Sequence, residues 1–365
     1  ATQVASNAQL QLNAVTVTGE TITINGTGGT NSQGALHGFA GSSTWAGPVI
    51  VGNAATNNRV GAANTATLTL SGAISGGQAG AMGGLTVRSD TTGVVVVSGG
   101  ANTYLGDTTV VVGTLRLAGG ADRLPVGTKL ALGNNASVSP AIVDLNGQNQ
   151  TVAGLYSVTG ANVTMQVTST LAATLTVNLA SGTDIYTGVI SGAVSLTKSG
   201  AGTLSLAGAT ANTQTGTTTV SAGVLNLNKT AGVNAIPGQL DINGGAVTFS
   251  ANNQIADTAS VNVSGAASVF NGTSFNTGTL PNIQETFANL TMTGGSFSTG
   301  ANSNWNITGT GTFTGGAGNT IFLANSSTTI AFGNLVLTNM NASPGSTPQA
   351  NNSFAIYGAS PTIGT

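Results

Sequence analysis

Residues 98–117 align without a gap on residues 208–227, and ten of the twenty pairs are identical: Ala101, Asn102, Thr103, Gly106, Thr108, Thr109, Val110, Gly113, Leu115 and Leu117 recur as Ala211, Asn212, Thr213, Gly216, Thr218, Thr219, Val220, Gly223, Leu225 and Leu227. Self-similarity of this kind marks a chain made of stacked units, none of which buries its apolar face alone. Upstream, Gly72-Ala-Ile-Ser-Gly76 echoes Gly188-Val-Ile-Ser-Gly192 at a different offset, so the repeated block spans several elements and holds an indel.

The elements themselves have period two. Thr21-Ile-Thr-Ile24, Thr67-Leu-Thr-Leu70, Thr203-Leu-Ser-Leu206, Val224-Leu-Asn-Leu227 and Asn334-Leu-Val-Leu337 each read as a short strand with one apolar face. Between such strands stand residues that tolerate positive φ, as in Gly83-Gly84, Gly119-Gly120, Asn134-Asn135 and Gly244-Gly245. No helical stripe survives these interruptions. The expectation is an all-β chain whose short strands stack in parallel, rung on rung at ~4.8 Å. With ~20 to 25 residues per coil, the chain would make roughly 15 coils.

Stacking of like on like explains the composition. Only 4% of residues are charged, whereas Ser, Thr and Asn supply the polarity; a Lys or Glu repeated every ~4.8 Å would repel itself. Mean hydropathy of +0.24 and a net charge of −2 point to a chain that folds. Without a basic surplus there is no footprint for nucleic acid or an anionic membrane. No window approaches the ~18 apolar residues of a spanning helix. Cysteine is absent, and the chain starts at Ala1 without Met or a basic leader, which reads as a processed, secreted form.

Candidate chemistry is sparse. His37 is the single histidine, and the nine carboxylates (Glu20, Asp90, Asp107, Asp122, Asp144, Asp184, Asp241, Asp257 and Glu285) are scattered along the chain. Neither triad spacing nor a ligand cluster for a metal is present, so the expectation is no catalytic residue, no cofactor and no metal. Asp122 beside Arg123 reads as a corner ion pair, and Trp45 and Trp305 as corner plugs. Thr-x-Thr pairs such as Thr67/Thr69 and Thr217/Thr219 raise a lesser alternative, the flat hydroxyl lattice of an ice-binding solenoid.

Residues 197–208 with 217–227, and 101–104 with 108–110 and 113–115, resemble the autotransporter-associated β-strand repeat. Residues 34–36, 43–49 and 67–76 are similar to its long form. The resemblance covers about residues 20–230. It implies a right-handed parallel β-helix exposed outside a bacterial cell, of the kind found in autotransporter passengers. The final residues, 355–365, lack the alternation and terminal aromatic of a membrane-barrel strand.

The expected organisation is an N-terminal capping or assembly segment at 1–19, a solenoid over 20–340 with repeat blocks near 68–119 and 186–229, and a C-terminal arm at 341–365 containing Pro344, Pro348 and Pro361. A β-helix leaves unpaired backbone at its ends unless charge, proline or a cap blunts it. Residues 1–17 are uncharged and alternate through Leu10, Leu12, Val15 and Val17. These, with Phe354, Ile356 and Tyr357, are the expected assembly residues, and the expected partner is a second copy of the chain stacked head to tail. The alternative is an adhesin-like passenger that binds surface glycans.

Overall fold

Alternation sorts the side chains of each strand between a lumen and the outside. In Thr67–Leu70, Leu68 and Leu70 are wholly buried and the two threonines half-buried. The same slot in successive rungs is filled by Leu68, Val95, Leu115, Val143, Val167 and Ile190, each in register with the next. Each such side chain contributes roughly 1.5–3 kcal/mol on leaving water, and the column exists only because parallel stacking sets like positions above one another.

The structure, a computed structural model, describes all residues except 30–31, 53–56, 80–82, 101, 134–138, 161–163, 273–283, 300–302, 315–319, 324–328, 339–340, 343–352, 357–361 and 365. Among the described residues there is no helix, and the named strands pair in parallel. The protein is an all-β parallel solenoid of about 12 turns. Thr2, Ile22, Val49 and Ile74 are neighbours in register, so three successive turns take 20, 27 and 25 residues.

Two compact units are present. The first comprises residues 1–178 with 188–194. One of its faces is built from Thr2–Val4, Ile22–Ile24, Val49–Val51 and Ile74–Gly76. A second carries Leu10–Asn13, Leu36–Ala40, Asn58–Ala62 and Leu85–Arg88, and a third Thr16–Val17, Ser42–Trp45, Thr67–Leu70 and Val94–Val97. The strand Thr108–Leu117 serves both of the latter: Thr109 pairs with Thr86 and Leu115 with Val95. It turns the corner at Gly113, whose φ of +83° and the 2.6 Å between a built Cβ and Ser89 Cβ both demand glycine.

The second unit comprises residues 179–187 with 195–365. Its lumen departs from the thin aliphatic core that the low aromatic content suggests. Phe249, Phe270, Phe287, Phe297 and Trp305 are buried together, with ring centroids 5.0–6.1 Å apart. Within the segment expected as a C-terminal arm, Ser353–Ile356 pairs with Thr320–Leu323, and Thr362–Gly364 pairs with Thr329–Thr338.

Candidate functional site

Leu36–Ala40 should turn Leu36 inward and His37 outward, yet both are buried, His37 at 1% exposure. The cover comes from the corner before the strand. His37 is in register with Gly61, and a Cβ on Gly61 would fall 2.2 Å from the Gln33 carbonyl oxygen, so this corner lies directly against the sheet. Arg59 and Arg88, from the next two strands of that face, each donate through Nη1 to the Ser32 carbonyl at 3.3 Å. Gln33 Nε2 donates to Asp90 Oδ1 at 2.8 Å, and the Asn64 amide to Asp90 Oδ2 at 3.2 Å. Folding thus gathers His37, Arg59, Arg88 and Asp90, which are scattered over 54 positions of a charge-poor sequence.

Among the described residues, no hydrogen bond joins His37 to Asp90. Neither ring nitrogen of His37 has a hydrogen-bond partner. Burial holds its pKa below the ordinary value, against the opposing pull of Asp90. No group of three or more His, Cys, Asp or Glu among the described residues is placed to hold a metal ion.

Other polar groups that look chemical do structural work. Lys198 is fully buried, and its ammonium donates to the carbonyls of Ser199, Gly200 and Ala222 at 2.8, 2.8 and 3.2 Å. Lys229 reaches the Ala207 carbonyl at 3.0 Å. Burial pulls both pKa values down to about 8. Glu285 accepts the backbone N–H of Gln254 at 2.9 Å and of Ile255 at 3.0 Å, while burial pushes its pKa up to about 8. Asp122 and Arg123 do not form the expected corner pair. Asp122 accepts the Thr151 amide at 2.7 Å, and Arg123 donates to the Gly119 and Gly120 carbonyls, because each side chain points to a different rung. The ion pairs among the described residues are Ala1–Glu20 and Arg116–Asp144.

Where backbone leaves the ladder, buried amides replace it. Asn102 accepts the Ile74 N–H at 2.7 Å and donates to the Arg123 carbonyl at 2.6 Å, so one side chain joins the rungs on either side. Asn212, its counterpart 110 positions on, donates to the Ala235 carbonyl at 2.8 Å. Gln150 closes on Leu124 in the same manner, accepting its N–H at 2.9 Å and donating to its carbonyl at 3.0 Å. The hydroxyls of Tyr104 and Thr108 bond to each other, and at the equivalent positions Gln214 donates to the Thr218 hydroxyl. Gly223 repeats the corner of Gly113 with φ +64°.

A family profile, the passenger-associated-transport repeat, matches residues 92–117 and 196–227. The chain carries this repeat. Comparison with curated proteins and with solved structures gives no match. Each passenger repeat runs a little over one turn: in the first, Val95 stacks on Leu115, and in the second, Leu204 stacks on Leu225 and Leu196 on Thr218. The passenger repeat implies a secreted or surface protein. Its shared Asn is a cross-rung clamp. Asn102→Ala, which strands the buried Ile74 N–H, should therefore cost about 1–3 kcal/mol in urea unfolding, whereas a change at an exposed position such as Asn228→Ala should cost less.

The expected assembly residues fall in different places. Leu12 is buried in the first turn, Leu10 and Val17 are half-buried, and Val15 is exposed. Phe354 and Ile356 lie on the strand Ser353–Ile356, and Tyr357 lies outside the described residues. Trp45 and Trp305 are both core. The hydroxyl rank of the third face is broken, since Thr69 is followed in register by Val96, Arg116 and Asp144.

Proposed function

We propose that this protein is a non-enzymatic extracellular β-solenoid subunit that assembles end to end into a bacterial surface filament. The observation that carries this reading is the first turn. Thr2–Val4, Leu10–Asn13 and Thr16–Val17 each pair on one side only among the described residues, with Ile22–Ile24, Leu36–Ala40 and Ser42–Trp45. Strand edges that pair on one side only are a template for another strand set. A heterologous contact of this kind does not close, so it propagates.

Purified chain should form filaments visible by negative-stain microscopy that persist at ~1 M salt, because backbone pairing and apolar stacking are weakly screened. Leu10→Lys with Leu12→Lys places charge at the lumen mouth. It should leave the β-type circular dichroism intact and abolish filaments. A wild-type chain that stays monomeric in sedimentation at high concentration would refute assembly. The second reading, a passenger-type adhesin for surface glycans, draws its support from the two passenger repeats. It is the outcome if monomers are retained on immobilised glycans.

A further inference from the structure

We propose that the four Asn–Gly corners of the chain are latent deamidation sites, each held closed by the following turn. Asparagine before glycine is the pair most prone to this reaction, because no Cβ obstructs attack by the glycine nitrogen. That nitrogen bonds to the asparagine Cγ, the Cγ–Nδ2 bond breaks, and the displaced proton leaves with ammonia; water then opens the cyclic imide to aspartate or isoaspartate. The chain holds the pair at Asn25–Gly26, Asn146–Gly147, Asn243–Gly244 and Asn271–Gly272. In all four the glycine N–H is donated to the following turn: to Asn58 Oδ1 at 3.0 Å, to Ser169 Oγ at 3.0 Å, to Ser268 Oγ at 2.7 Å and to the Ser298 carbonyl at 2.6 Å. Two of the asparagine amides are tied the other way. Asn25 Nδ2 donates to the Val4 carbonyl at 3.0 Å and Asn146 Nδ2 to the Leu117 carbonyl at 3.1 Å, both in the preceding turn. The attacking atom and its target are thereby drawn toward opposite rungs. Ser169 and Ser268 are a matched pair: each is buried and donates its own hydroxyl proton to a carbonyl, that of Leu171 in one case and Ser264 in the other, so its oxygen is left to accept the glycine N–H. The lock suits this fold, since deamidation puts a negative charge into a charge-poor ladder, and isoaspartate lengthens the backbone at a corner that sets register.

Incubation of the whole chain in mildly alkaline buffer, folded and in urea, tests this, with peptide mass spectrometry reading the amide-to-acid mass gain and isoaspartate-specific methylation reading the rearranged product. All four asparagines should convert far more slowly in the folded wild type than in urea. Ser268→Ala should speed conversion of Asn243 roughly two- to tenfold, the factor set by the net worth of one hydrogen bond, and leave Asn146 as in wild type. Ser169→Ala should do the reverse. The two serines lie in different compact units, so if one variant fails to fold by circular dichroism the other carries the test. Conversion of the folded wild type as fast as the unfolded chain, a serine variant whose own asparagine stays as slow as in wild type, or one that speeds all four sites alike overturns the proposal.

Discussion

Trp305→Ala should destabilise the unit formed by residues 179–187 and 195–365 by about 3–5 kcal/mol, the range for deletion of a large buried aromatic. Its ring lies 5.5 Å from that of Phe249, 5.6 Å from Phe270 and 5.0 Å from Phe297, all near edge-to-face. Edge-to-face pairs add roughly 0.5–1.5 kcal/mol each beyond area burial. Two further losses follow from the indole N–H, which donates to the Thr299 carbonyl at 3.2 Å and the Ser303 hydroxyl at 3.1 Å. The backbone cannot easily close over the hole, because the rungs above and below are held in the parallel ladder. Trp45 provides the comparison: it is equally buried, but its Nε1 has no partner. Trp45→Phe should therefore cost less than Trp305→Phe. Urea denaturation followed by far-ultraviolet circular dichroism, which reports the strands of both units, measures both costs, and equal costs would contradict the hydrogen-bonding difference.

Stability of the same unit should fall as pH rises from about 5 to about 8, by up to about 1.4 kcal/mol per pH unit. Glu285 is the cause. Its pKa is raised from 4.5 to about 8 by burial, so between those values the native state holds a proton that the unfolded chain has released. The stabilising contribution is complete below the unfolded value and lost as pH passes the folded one. The two backbone N–H groups that Glu285 accepts favour the ionised form and lessen the loss. Lys198 and Lys229 act with the opposite sign. Their folded values near 8 lie below the ordinary 10.5, so stability should recover as pH rises between the two. The profile should pass through a minimum near pH 8. Urea midpoints across this range test it, and Glu285→Gln should flatten the acidic limb while leaving the alkaline limb in place. A flat wild-type profile would show that the carboxyl is ionised throughout, held by its two N–H donors.

Passenger repeats, parallel strands and an apolar lumen were legible from local pattern. Alternation at Thr67–Leu70 or Thr203–Gly208 needs no partner to say which side chains turn inward, and the ten identities between 98–117 and 208–227 announce a stacked unit. The shared Asn102 and Asn212 turned out to be rung-to-rung clamps, a role that alignment marked without explaining.

Tertiary structure alone decided three things. It placed His37 in the interior, because the corner at Ser32 and Gln33 folds onto a face that alternation assigns to solvent. It gathered Phe249, Phe270, Phe297 and Trp305, since their meeting depends on register between turns that take 22, 23 and 27 residues along that stack. It also separated Asp122 from Arg123, adjacent in the chain but aimed at different rungs. Period two is a property of the strand and can be read residue by residue. Register is a property of the corners, whose glycine- and asparagine-rich lengths carry no period, so what stacks on what emerges only when the turns close.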